Sequence, residues 1–206
     1  MSIKVLQFCE PFYTIKAVQD EKEYKIGNKS IVVNLSESSI MVKNRPVNHL
    51  KSTIVTNVVV NNLKRAIIVE DYERNIDHAK LFEEIKKKWP LVYDMTKQER
   101  HKGILLWRSS KEKIFGNTEI NLCYIAANVS TGLHKMHPPD FTEVHTQILG
   151  VGKMQKTEEN DYGTLYQEVI LAPGMTHDPF YDEQVVYPWH QYQSVTEAIF
   201  MAVEIC

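Results

Sequence analysis

The sequence predicts a mainly-β chain, an antiparallel sandwich or barrel with a strand-rich N-terminal extension and one amphipathic helix. Three observations carry this. Short β-branched and aromatic runs recur along all 206 residues, and pieces rich in Gly, Pro and Asn separate them. Only one stretch places apolar residues at helical spacing.

Over the first seventy residues the strands are short. Ser30 to Leu35 and Ser39 to Lys43 are β-branched runs parted by Ser36-Glu37-Ser38, and Thr53 to Val60 and Ala66 to Val69 continue the pattern, with Asn61-Asn62 as a turn. The helix follows over 77–89. Leu81, Phe82, Ile85 and Trp89 line one face, Asp77 is the expected N-cap, lysines fill the last turn and Pro90 ends it. Thr96 to Lys102 is a polar connection with room for one helical turn. Strands return at Ile104 to Trp107, Ile120 to Ala127, Glu143 to Leu149, Leu165 to Leu171, Val185 to Tyr187 and Thr196 to Ile205. Gly116-Asn117, Pro138-Pro139-Asp140, the turn over 159–163 and Pro173-Gly174 separate them, as in sandwiches and barrels. The chain therefore divides into an extension, 1–101, and a barrel, 102–206.

Composition narrows the function. A net charge of -2 argues against a nucleic-acid partner, which selects a basic face, and Lys86-Lys87-Lys88 reads as the solvated side of the helix. Cys9, Cys123 and Cys206 are too few and too far apart for a disulfide framework or a paired-cysteine zinc site. Residues 1–4 lack a leader's basic-then-apolar layout, and no apolar run nears the roughly 20 residues that span a bilayer. A cytoplasmic protein without a membrane partner is expected. A chain of this length folds without a metal to hold it, so any metal serves function.

Five histidines, His134, His137, His145, His177 and His190, crowd the last third, while His49, His78 and His101 are expected at the surface. Glu143 and His145, two apart in a strand, share one face. Such a pair is expensive to bury unless it is hydrogen-bonded or ligating, and both readings stay open on spacing alone. His137 precedes them across the prolines and can fold back toward them. Imidazole with carboxylate suits iron, manganese, zinc, nickel or copper, leaving positions for substrate.

The run Glu143-Val144-His145-Thr146-Gln147-Ile148-Leu149-Gly150 resembles the first motif of the cupins, in which a glutamate ligand precedes a turn glycine. Gly150-Val151-Gly152-Lys153 is similar to the hairpin that follows it, and His137 falls where the family places its first histidine. Tyr187-Pro188-Trp189-His190, with 191–204 after it, resembles the second motif and the closing strand. Pro173-Gly174-Met175-Thr176-His177 competes for that motif. The sequence departs from the family at Pro139, which stands where the second histidine belongs, and neither His177 nor His190 is followed by asparagine. The resemblance covers 102–206 alone.

It implies a cupin-type jelly-roll β-barrel with a divalent metal ion held inside by His137, Glu143 and His190, and His145 is expected to take the position that Pro139 vacates. His177 is the alternative ligand or an acid/base. By strand alternation Gln147 follows Glu143 and His145, and Tyr192 follows His190; each either binds a small polar substrate or is satisfied by its neighbours. Tyr166, Tyr181, Tyr187 and Trp189 read as core or pocket wall, and Asp178, Asp182 and Glu183 as a solvated loop. The leading expectation is a metal-dependent oxygenase, isomerase or lyase acting on a small polar metabolite. The others are a non-catalytic sugar- or small-ligand-binding barrel and a metal-free sugar epimerase or isomerase. Cupins commonly dimerise through sheet edges, and the strand-rich first half suits a homodimer.

Overall fold

The structure, a computed structural model, describes residues 2–74, 77–137, 141–181 and 186–206. The Pro138-Pro139-Asp140 turn, Asp182, Glu183 and the strand start at Val185 lie outside the described residues.

The chain is a mainly-β jelly roll carrying an added sheet. The N-terminal sheet contains β1 (Ser2–Leu6), β2 (Thr14–Ile26), β3 (Ser30–Asn34), β4 (Ile40–Val42), β5 (Arg45–Val47), β6 (Ser52–Val55) and β7 (Val58–Glu70). Their order is β1-β2-β7-β3-β6, with β4 bridging β7 to β5. Two helices follow, α1 (His78–Lys88) and α2 (Val92–Thr96). The barrel's first sheet joins β8 (Leu106–Arg108), β9 (Glu112–Ile114), β10 (Thr118–Ile125), β11 (Thr142–Leu149) and β15 (Ala198–Ile205). Its second sheet joins β12 (Gly152–Thr157), β13 (Leu165–Leu171) and β14 (Trp189–Ser194). Every pairing is antiparallel.

The sheet containing β10, β11 and β15 is the middle layer, and strand alternation splits its side chains between two cores. Ile120, Leu122, Tyr124, Val144, Ile148, Ile199, Met201 and Val203 join Ile15, Ile31, Ile67 and Val69 of the N-terminal sheet in one cluster. Cys123, Ile125, Ala198 and Phe200 point the other way and pack with Met154, Leu171, Phe180 and Tyr192 inside the barrel. The N-terminal sheet has its own second cluster on its far face, around Val18, Val32, Val60 and Ile68. With both faces covered, every residue of β3 is buried.

Helix α1 closes the edge of the shared core. Asp77 caps it by accepting from Lys80 N–H, Leu81, Phe82 and Ile85 are buried, and Phe82 stacks on Tyr124 at 4.8 Å. The triple lysine run faces outward, with Lys86 and Lys87 paired to Glu83 and Glu84.

Four expectations are corrected. Asn61-Asn62 is no turn: β7 runs through it, and Asn62 takes a left-handed conformation (φ 64°) that bends the strand while its side chain donates to Ser39 O. A second short helix, α2, follows Pro90. Val186 and Tyr187 lie outside any strand, and pairing begins at Trp189. His101 is buried, not on the surface, and its Nδ1 meets Thr96 Oγ1 at 3.1 Å. Cys9 and Cys123 are buried free thiols and Cys206 is exposed. Among the described residues no helix is long and apolar enough to cross a membrane.

Candidate metal centre

Register across the middle sheet sets out the site. Glu143 lies opposite Glu204, His145 opposite Ala202, and Gln147 opposite Phe200. Beyond them Ala202 meets Asn121, Phe200 meets Cys123, and Cys123 meets Arg108. All of these positions share the barrel face. Ala202 contributes only a methyl group to its row, which leaves room between His145 and Asn121. A cavity of about 110 Å³ opens there, lined by Arg100, Arg108, Asn121, His134, Glu143 and His145 among others.

At one end of this cavity His134, His137, Glu143 and His190 converge, each offering a ligand atom within 4.8 Å of the others. Three separate segments bring them together. Glu143 stands on β11. His190 stands on β14, where Tyr187-Pro188 leads the chain into the strand. His134 arrives through a two-bond backbone bridge, its N–H to His190 O at 3.1 Å and His190 N–H back to His134 O at 2.9 Å. His137 then packs its ring on Phe141 at 5.0 Å and Tyr187 at 4.3 Å.

The protonation states suit a cation. His190 Nδ1 lies 2.9 Å from Pro188 O and His134 Nδ1 3.3 Å from Gly132 O. A carbonyl can only accept, so both rings carry hydrogen on Nδ1 and leave the Nε2 lone pair free, the usual support for a ligating imidazole. His137 Nε2 approaches His190 Nε2 to 3.2 Å, a contact that needs a proton or a cation between the two nitrogens. Burial pushes His134 down to about 3 and His190 to about 4, and it lowers His137 as well. Burial alone would raise Glu143, but His145, followed by His137 and His134, outweighs it and holds the carboxyl well below the usual range. Near neutral pH the cluster therefore consists of neutral imidazoles and one carboxylate, the forms that bind metal.

His137, Glu143 and His190 thus come together, and His134, not singled out from the sequence, stands with them. His145 sits one place off: its Nε2 meets Glu143 Oε1 at 3.2 Å, while its buried Nδ1 has no partner. His177 has neither ring nitrogen to spare, in contrast to the ligand or acid/base role expected of it. Its Nε2 accepts from His145 N–H at 2.8 Å, and its Nδ1 donates to Asp178 O at 2.5 Å. Gln147 and Tyr192 satisfy each other, in contrast to a substrate-binding role. The Tyr192 hydroxyl donates to Gln147 Oε1 at 2.9 Å and the Gln147 amide to Leu149 O at 2.7 Å.

Two glycines allow this packing. A Cβ on Gly152 would lie 2.0 Å from the Tyr192 hydroxyl, and one on Gly150 2.1 Å from Glu197 O. Gly150, at φ 72°, makes the turn from β11 to β12 in a conformation that other residues resist.

Arg108, Asn121 and Arg100 were also missed from the sequence. Nothing local marks them: β8 and β10 bring Arg108 and Asn121 to the site only through sheet register, and Arg100 arrives on the short helical turn Glu99–His101.

No family profile matches the chain, and no curated protein matches it. Several solved structures are similar in fold. KdgF from Halomonas sp. is 9% identical, with a TM-score of 0.37 over 49% of this chain and 78% of its own. A cupin superfamily protein from Desulfitobacterium hafniense is 10% identical, with a TM-score of 0.36 over 48% of this chain and 76% of its own. A cupin 2 conserved barrel domain protein from Leptotrichia buccalis is 10% identical, with a TM-score of 0.36 over 99% of this chain and 88% of its own.

Proposed function

We propose that this chain is a metal-dependent enzyme acting on a small polar metabolite. His134, His137, Glu143 and His190 would hold one divalent transition-metal ion. The observation that carries the reading is the convergence of these four ligand atoms within 4.8 Å at the end of a cavity. The donor set fits, because three imidazoles and a carboxylate suit iron, manganese, nickel, copper or zinc, whereas magnesium and calcium prefer all-oxygen sites. When bound, such an ion supplies Lewis-acid polarisation, or dioxygen chemistry if it is iron.

The chain's own residues supply the rest. Phe180 stacks on His190 at 4.3 Å, Phe141 and Tyr187 cover His137, and these rings keep bulk water from one side of the cluster. Glu143 orients His145, whose unpartnered Nδ1 belongs to a ring lining the cavity. With Nε2 turned to Glu143, a proton would be accepted at Nδ1, the role of a general base.

Titration of the metal-free protein with cobalt(II) tests the proposal. The visible spectrum should show a saturable nitrogen–oxygen site in the wild type that disappears in His190→Ala. An unchanged spectrum in that variant places the ion elsewhere. The Glu143–His145 pair also favours a second reading, a metal-free acid–base enzyme. Turnover of a substrate that survives exhaustive chelation would select it.

A further inference from the structure

The cavity that the metal cluster borders also carries donors that have nothing to donate to. Arg108 ends β8, and its pairing with Cys123 turns it into the barrel. Its Nε is buried without a hydrogen-bond partner, and among the described residues its guanidinium makes no ion pair. Asn121 is 1% exposed. Its Oδ1 accepts from the Cys123 thiol, which leaves the Nδ2 amide group as the free end, and that group too is buried and unpartnered. Both side chains line the same cavity, with Arg100 beside them. The exposed Arg100 donates its Nε to Gln98 at 2.9 Å and makes no ion pair among the described residues.

Among the described residues the acids nearby form no ion pair with these arginines. Glu204 is taken by Lys111 and Glu143 by His145. Buried donors without partners, such as Arg108 Nε and Asn121 Nδ2, are rare in folded proteins unless a ligand completes them. A guanidinium edge together with an amide N–H offers donors only, so the complementary group is an acceptor-only anion.

We propose that Arg108 and Asn121, with Arg100 beside them, bind an oxyanion group of the substrate, a carboxylate or a phosphate. The inference rests on the cavity being the substrate site proposed above, and it names the substrate class: a small organic anion whose charged end sits on this wall while the rest of the molecule faces the metal cluster.

Calorimetric titration of the full chain with malonate, inorganic phosphate and the neutral analogue malonamide tests this in metal-free and manganese-loaded protein. Malonate or phosphate should bind saturably and malonamide should not; whichever anion binds tighter identifies the group. Arg108→Gln should weaken that binding by at least about tenfold while retaining the wild-type metal content and Tm, and Arg100→Gln should weaken it by less. The metal reading fails separately, through metal content, because the anion wall remains measurable in the metal-free form. Two binding outcomes overturn the proposal: neither anion binds either form, or Arg108→Gln binds like the wild type. A collapse of Tm in Arg108→Gln assigns the arginine to the fold and overturns it as well.

Discussion

At the scale of single residues, the proposed ligands are distinct from the groups that support them. His134→Ala removes a ligand and should lower metal affinity by about 100-fold or more. His145→Ala removes a partner of a ligand and should lower it by about 10-fold; metal-buffered titrations measure both, and equal losses would contradict the division. Buried neutral histidines also set a pH dependence. In the metal-free fold His177 and His190 protonate only near 3 and 4, whereas in the unfolded chain they protonate near 6.5. The unfolded state binds more protons in that window, so stability is complete above about pH 6.5 and falls toward pH 4. Each histidine contributes a slope of about 1.4 kcal/mol per pH unit. Urea midpoints should drop steadily between about pH 7 and pH 5; a constant midpoint contradicts the burial of neutral rings. At this scale the sequence was partly legible. Strand alternation put Glu143 and His145 on one face, and the resemblance to the two cupin motifs pointed to Glu143 and His190. His134 was hidden because it enters by pairing its backbone with His190, which no local pattern encodes. For His145, same-face spacing cannot tell a ligand from a hydrogen-bond partner of Glu143. His177 looked available because its two bonds run to backbone groups.

Among the elements, α1 and the β11–β12 hairpin bear most on the site. Phe82 joins the helix to Tyr124 on β10, the strand that carries Asn121 and Cys123. Phe82→Ala should destabilise the chain by about 3–5 kcal/mol, measured by urea unfolding. A loss below about 1 kcal/mol would mean that the helix is not part of the core. Gly152→Ala drives a methyl into the Tyr192 phenol and should cost about 1–3 kcal/mol while leaving the metal ligands in place. The helix was legible because cap, stripe and stop residue agree over one short span. β13 was readable in full, as a run bounded by turns. β2 escaped individual notice because its middle, Gln19 to Lys25, is almost all polar; it pairs with β7 on a stretch where neither strand is fully covered. β9, three residues long, gives no periodic signal at all.

For the whole molecule, the N-terminal sheet and the barrel share a core that neither half completes alone. Ile120, Leu122, Tyr124, Ile199, Met201 and Val203 would lie bare on the barrel without the first seventy residues. A chain restricted to 102–206 should therefore aggregate or fail to fold, and calorimetry of the full chain should show one transition; two resolved transitions would contradict a shared core. This layering was not visible from the sequence, because the same alternation serves a strand with one covered face or two. On the proposed reading, His134, His137, Glu143 and His190 hold one metal ion at the end of the barrel cavity. Elemental analysis of the protein after anaerobic loading with iron and manganese tests it most directly, with the folded Glu143→Ala, His190→Ala double variant alongside. The account predicts about one ion per wild-type chain and almost none in the variant. No metal in the wild type, or equal metal in both, would contradict it.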